Sequence, residues 1–309
     1  MADKIATRQS YGRALVELGA LRQDIVVLDA DLSGSTMTKE FAKVYPERFF
    51  NAGIAEANMY GMAAGLAISG KTVFASTFAI FAAGRAFEII RNSIGYTGAN
   101  VKICATHAGL TVGEDGASHQ AIEDLALMRT IPGMTVLNPA DDVSARKLLK
   151  AAADMQGPVY VRLGRAAVPV IYEEETDVQI GKALTLRQGK DYTIIATGIL
   201  VSQAADAAEQ LAGEGIDVRV IDMHTLKPMD EEAVIKAAQE TKGIVTVEEH
   251  SVIGGLGAAV AQICCAKAPA KVSFVGIQDT FGESGKPDEL LEKYGLTAAH
   301  IADAVRAMK

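Results

Sequence analysis

Residues 55–105 read AEANMYGMAAGLAISGKTVFASTFAIFAAGRAFEIIRNSIGYTGANVKICA, and their pattern decides the fold. Ala55–Ile68 predicts a helix, with Met59, Met62, Ala63 and Leu66 on one face. Val73–Ala75 is a short strand-like run. A second helical stretch lies around Phe78–Ile94, and Val101–Ala105 is again a strand. Strands that alternate with helices imply a parallel sheet with right-handed crossovers.

The rhythm extends in both directions. Upstream, Tyr11, Ala14, Leu15 and Leu18 fall at helical spacing, and Ile25–Leu28 reads as a buried strand ending in Asp29-Ala30-Asp31. Downstream, strands at Thr135–Leu137 and Val159–Val161 alternate with helical segments at Ala121–Thr130 and Val143–Ala153. From about Ala166 to Lys190 periodicity fades around the acidic run Glu173-Glu174-Glu175, which reads as a linker. A second α/β unit follows, with strands Tyr192–Ala196, Val218–Ile221, Ile244–Val247 and Val272–Val275. The expectation is an α/β protein of two domains, residues 1–165 and 191–309, each a mostly parallel sheet flanked by helices.

Bulk properties agree. At 309 residues the chain exceeds the roughly 250 at which single cores stop growing. Hydrophobic residues make up 49%, enough for a sizeable core. A net charge of −8 argues against nucleic acid as a partner, since such binding rests on Lys and Arg at phosphates. Cys104, Cys264 and Cys265 form no spaced framework and read as free buried thiols in a reducing compartment. No signal peptide and no apolar run of about 18 residues stands out, so a soluble cytoplasmic protein without a membrane span is expected.

In parallel α/β sheets, ligands sit beyond the carboxyl ends of the strands. The loop after Val101–Ala105 runs from Thr106-His107 to Asp115-Gly116-Ala117-Ser118-His119-Gln120 and holds two of the five histidines. Imidazoles near a carboxylate suit proton exchange with a hydroxylated substrate. The bland alternatives are a metal site or a solvated loop, and His107, Asp115 and His119 match no zinc spacing. Glu56 opens a helix of small residues, where it either complements the helix dipole or, buried, shares a proton with a ligand nitrogen. Phe78 and Phe81 are core residues or a clamp for a planar ring. Arg8, Arg162 and Arg165 are surface salt-bridge residues or anion ligands. Gly254-Gly255-Leu256-Gly257 is an incomplete dinucleotide fingerprint.

Taken together these segments resemble transketolase over nearly the whole chain, from Ile5-Ala6-Thr7-Arg8 to Gly285-Lys286-Pro287-Asp288-Glu289-Leu290-Leu291. Gly53-Ile54-Ala55-Glu56-Ala57-Asn58-Met59 resembles the segment of the catalytic glutamate, and Ser76-Thr77-Phe78-Ala79-Ile80-Phe81 the aromatic pocket for an aminopyrimidine. Residues 106–120 resemble the substrate loop. Val220–Pro228 and Val247-Glu248-Glu249-His250 resemble the family's C-terminal domain. The resemblance implies thiamine diphosphate as cofactor, held by Glu56, Phe78, Phe81 and Ile54. It implies catalytic roles for Glu56, His107 and His119, and substrate contacts from Arg8, Ser35, His107, Asp115, His119 and Arg165. The substrates would be ketoses and aldoses or their phosphates.

The family's diphosphate motif, Gly-Asp-Gly followed by Asn, does not occur here. The resemblance therefore implies a split enzyme. A separate N-terminal subunit would hold most of the diphosphate and Mg2+, and this chain would contribute no metal ligand of its own. Apolar residues all round Ala55–Ile68 predict self-association through the first domain, as a homodimer, because such a helix is buried on every side. Related readings are deoxyxylulose-phosphate synthase, disfavoured by His107 where that family more often shows Asp-Arg, and the β-subunit of a 2-oxo-acid dehydrogenase, whose histidine loop is shorter. A degenerate regulatory subunit is disfavoured by Glu56, His107, Asp115 and His119 standing together.

Overall fold

A computed structural model describes residues 3–309. Its strands are β1 (Lys4–Ala6), β2 (Ile25–Asp29), β3 (Phe49–Asn51), β4 (Thr72–Phe78), β5 (Val101–Thr106), β6 (Thr135–Leu137) and β7 (Val159–Arg162) in the first half. The second half adds β8 (Ala167–Pro169), β9 (Leu184–Arg187), β10 (Tyr192–Ala196), β11 (Val218–Asp222), β12 (Thr225–Lys227), β13 (Ile244–Ser251) and β14 (Val272–Ile277).

The first sheet has the order β12-β6-β7-β5-β4-β2-β3 and is parallel except for β12. Successive side chains of a strand point to opposite faces, so both faces of these apolar runs need cover. Ile25 and Val27 pack with Tyr11, Leu15 and Leu148, under helices Thr7–Leu21 and Asp142–Asp154. Val26 and Leu28 pack with Met59 and Ala63 of the helix Glu56–Ile68 on the other face. The helix Asp142–Asp154 starts where Asp141 accepts the Ser144 N–H at 2.8 Å, a side-chain cap for an orphan donor.

The second sheet, β14-β13-β10-β11-β9, is parallel except for its edge strand β9. One of its faces carries Ile194, Val220 and Val245 under helices Leu200–Ala212 and Ala298–Arg306. The other face, with Ile195, Ile221 and Ile244, is continuous with the core of the first sheet. Strand β12, although in the second half of the chain, completes the edge of the first sheet by pairing with β6. The two sheets thus share one apolar interior.

Several expectations change. The stretch 166–190 is not featureless: β8 pairs with β1 in a two-stranded ribbon, and β9 joins the second sheet. Both strands are too short to leave a period in the sequence. Phe78 ends β4 rather than opening a helix, and the segment beyond it winds in wide π-helical turns at Phe81–Arg85 and Ile90–Gly95. Arg162 is neither a surface residue nor open to an anion. It is buried, its Nε lies 2.9 Å from Asp124, and its Nη2 donates to the carbonyls of Ala121 and Glu249. Cys104 and Cys264 are buried free thiols, whereas Cys265 is exposed.

Candidate active site

The order β7-β5-β4-β2 brings four carboxyl-end loops side by side. They carry Arg165, His107, Phe78 and the segment 30–38 with Ser35. Asp29, buried at the end of β2, anchors that last segment by accepting from Thr36 Oγ1 at 2.7 Å, Thr38 Oγ1 at 2.9 Å and the Leu32 N–H at 2.6 Å.

At the end of β5, His107 has φ 56°, a left-handed conformation uncommon outside glycine and often tied to function. This turn lays its imidazole flat on Phe78, with ring centroids 3.9 Å apart and planes 22° apart. Nδ1 lies 2.9 Å from Thr106 Oγ1. Phe81 continues the stack from Phe78 at 5.9 Å and 10°. His119, from the far end of the loop, meets Phe81 edge-on at 5.6 Å. The two histidines and two phenylalanines are therefore one cluster.

Glu56 joins it from the first turn of its helix, 2% exposed. Both of its carboxylate oxygens accept from Arg85 Nη1, at 3.3 and 3.2 Å. The Arg85 guanidinium also lies over Phe81, 4.9 Å from the ring centroid. Sequence reasoning passed over Arg85; its position one turn after Phe81 is the signal that could have found it. A planar, cationic, hydrogen-donating group thus already rests on Phe81 and pairs with Glu56. An aminopyrimidine is likewise planar and, once its ring nitrogen takes a proton, likewise a donor to a carboxylate, so the residues fit the pyrimidine end of thiamine diphosphate.

Arg8 Nη1 donates to the Ser35 carbonyl at 2.8 Å, and its Nε is buried without a partner. Arg165 donates to the Val112 carbonyl and to Glu114 at 3.0 Å. Burial, and then the charge of Arg165, hold the Arg8 guanidinium below its ordinary value. The same region drives His107 down to about 3: burial is the main cause, followed by Arg8, Arg165 and His119. An excess of positive charge beside a neutral imidazole is an environment that favours an anion.

Two expected residues stand apart. Asp115 is exposed, with no side-chain bond to either histidine. Ile54 precedes the helix and is 78% exposed, so within this chain it touches solvent rather than the cluster. The Gly254–Gly257 turn is occupied from inside: Glu248 accepts the N–H groups of Leu256 and Gly257 at 2.7 and 2.8 Å. Among the described residues no three His, Cys, Asp or Glu side chains converge as a metal site requires. No helix there is long and apolar enough to cross a membrane.

Comparison with known proteins gives two family matches. Residues 3–170 match the transketolase pyrimidine-binding domain and 181–301 the transketolase C-terminal domain. The chain is 54% identical to a putative transketolase C-terminal section of Methanocaldococcus jannaschii, covering 96% of this chain and 94% of that protein. It is 44% identical to the 6-deoxy-6-sulfo-D-fructose transketolase subunit of a Clostridium species, covering 96% and 92%. A split-gene transketolase, solved as an inactive β4 tetramer, superposes with a TM-score of 0.93 at 57% identity, over 98% of each chain. The architecture is that of the thiamine-diphosphate enzymes. The chain belongs to the transketolase family of transferases, and relatives of its own length are sections or subunits of split enzymes.

Because the folded His107 resists a proton that the unfolded ring takes up near pH 6.5, stability falls as pH drops from about 6.5 towards 3. In an NMR titration the ring should stay neutral from pH 8 down to about 4. A midpoint near 6.5 would contradict its buried, cation-flanked placement.

Proposed function

We propose that this chain is the pyrimidine-binding and C-terminal subunit of a split transketolase. It transfers a two-carbon ketol unit from a ketose phosphate to an aldose phosphate, together with a separate subunit that holds the diphosphate and Mg2+. The observation that carries this reading is buried Glu56 beside the Phe78–Phe81 stack and two imidazoles, at the carboxyl end of a parallel sheet. Residues 1–165 form the pyrimidine-binding domain and 191–309 the C-terminal domain, joined by 166–190. A cytoplasmic location agrees with the reading of the sequence.

Thiamine diphosphate, when bound, supplies an electron sink for cleavage next to a carbonyl. The protein's part is orientation and proton control. Glu56 shares a proton with the pyrimidine ring nitrogen, which requires Arg85 to release it. Phe78 and Phe81 would hold the ring, and Ile54, exposed in the single chain, would reach it only in the complete assembly. His107, neutral at working pH, offers one ring nitrogen as donor and one as acceptor, so it serves substrate hydroxyls rather than acting as a fixed cation. His119 assists proton transfer from the other side of Phe81, and Asp115 reads a substrate hydroxyl. Reconstitution tests this. The chain with thiamine diphosphate, Mg2+ and the partner subunit should transfer ketol units, and the chain without the partner should not. Glu56→Gln should cut cofactor C2 proton exchange at least about a hundredfold, some 2.7 kcal/mol of barrier. Activity without the partner, or wild-type exchange in the variant, would refute the assignment.

Arg8, Ser35 and Arg165 receive the anionic end of the substrate. The sulfonated sugar in the name of the Clostridium relative is likewise anionic. A charge-assisted hydrogen bond contributes about 1.5–3 kcal/mol. Arg165→Ala should raise KM for sugar phosphates about tenfold or more and leave free sugars nearly unchanged; an equal effect on both would make this arginine structural.

The helix Glu56–Ile68 leaves Ala57, Gly61, Met62, Gly65 and Ile68 bare in the single chain, with no atom within 4 Å of a Cβ at Gly61 or Gly65. A second copy covers this face in our reading, and the tetrameric relative supports it. Light scattering at micromolar concentration should find a dimer or larger, weakened by Gly61→Lys. A stable monomer, or assembly indifferent to Gly61→Lys, would remove this interface.

A further inference from the structure

The loop that carries both imidazoles belongs to the first domain, yet the second domain fixes its shape. Glu249, buried near the end of β13, accepts the Thr111 N–H at 2.6 Å through Oε1. The loop comes so close to this carboxylate that a Cβ on Gly109 would lie 2.3 Å from its carbon, and Gly109 has φ +79°. Gly109 in turn donates to the Ala121 carbonyl at 2.9 Å, which closes the base of the loop. Arg162 links the two ends of this arrangement, donating to the carbonyls of both Ala121 and Glu249.

Other contacts run the same way. Leu110 is buried in the apolar core of the second domain, in one cluster with Leu290 and Val247. Gln120 Nε2 donates to the Leu110 carbonyl at 3.1 Å and to the Glu283 carbonyl at 2.9 Å. A Cβ on Gly116 would lie 2.5 Å from Ser284 Oγ. His107 therefore enters the loop just before the Glu249 contact, and His119 leaves it next to Gln120.

We infer that Glu249 is a positioning residue for ketol transfer: from the C-terminal domain it sets the loop conformation that aims His107 and His119. The inference rests on the functional reading above and assigns the second domain a direct part in substrate handling. Glu56, and the ion pair it makes with Arg85, lie on other elements. The carboxylate therefore governs the substrate steps and leaves activation of the cofactor alone.

The test compares Glu249→Leu with Glu249→Gln in the complex reconstituted with the partner subunit, thiamine diphosphate and Mg2+. Gln keeps an acceptor for the Thr111 N–H; Leu does not. A displacement of about 1 Å at reacting groups costs up to roughly a hundredfold in rate. Glu249→Leu should lower kcat for ketol transfer about ten- to a hundredfold, with cofactor C2 exchange within about twofold of wild type, and Glu249→Gln should recover most of it. In the isolated chain, amide hydrogen exchange at Thr111 should speed up at least about tenfold in the Leu variant. Gly109→Ala, which pushes the loop off the carboxylate from its own side, should give the same split and stands in if Glu249→Leu does not fold. Equal losses in transfer and in C2 exchange, or unchanged exchange at Thr111, would overturn the inference. A wild-type complex without ketol transfer would instead remove the functional reading, with the Thr111 result still standing.

Discussion

Parallel pairing of β7, β5, β4 and β2 is the constraint on which the site depends. Parallel neighbours end on the same side of the sheet, so residues as far apart in sequence as Ser35 and Arg165 finish on the same edge, with two strands between theirs. Helices on both faces bury the strands, which makes their register costly to shift. The stack His107–Phe78–Phe81 is a direct result, because β4 and β5 run in register with Phe78 opposite Thr106.

Within that frame one buried ion pair of the first half also reaches the second by a hydrogen bond. Arg162 at the end of β7 meets Asp124, which also accepts from Tyr160 at 2.7 Å, and its remaining donors reach the loop base and β13. Removing one partner from such a pair strands a charge and costs about 3–5 kcal/mol. Through Nη2 the same guanidinium also ties the Ala121 carbonyl to that of Glu249. The shared apolar face between the sheets supplies the bulk of the cohesion.

The electrostatics follow from where these elements converge. Arg8 and Arg165 lie near enough for Arg8 to feel the other's charge, Arg165 is partly offset by Glu114, and the imidazole beside them stays neutral. Glu56 is compensated by Arg85, a half-exposed side chain at 55%, so the partner that neutralises this buried acid reaches it from the surface.

The alternation of strand and helix was legible in the sequence because buried strands and amphipathic helices have distinct periods, and β10 and β6 fall where the pattern put them. His107, His119, Phe78 and Phe81 were legible as candidates near the carboxyl ends of strands, but the strand order that stacks their rings was not. The strands β8 and β9, the burial of Arg162, the Arg85–Glu56 pair and the grip of Glu249 on Thr111 were not. Each is a long-range pairing whose two members carry no local period, and only chain packing chooses among the available partners. The sequence by itself determined the two parallel sheets and the residues at their carboxyl ends. The tertiary structure alone decided which charges meet, and that Glu249 lies against Gly109 and Thr111, because hydrogen bonds and ion pairs depend on distances that sequence spacing does not encode.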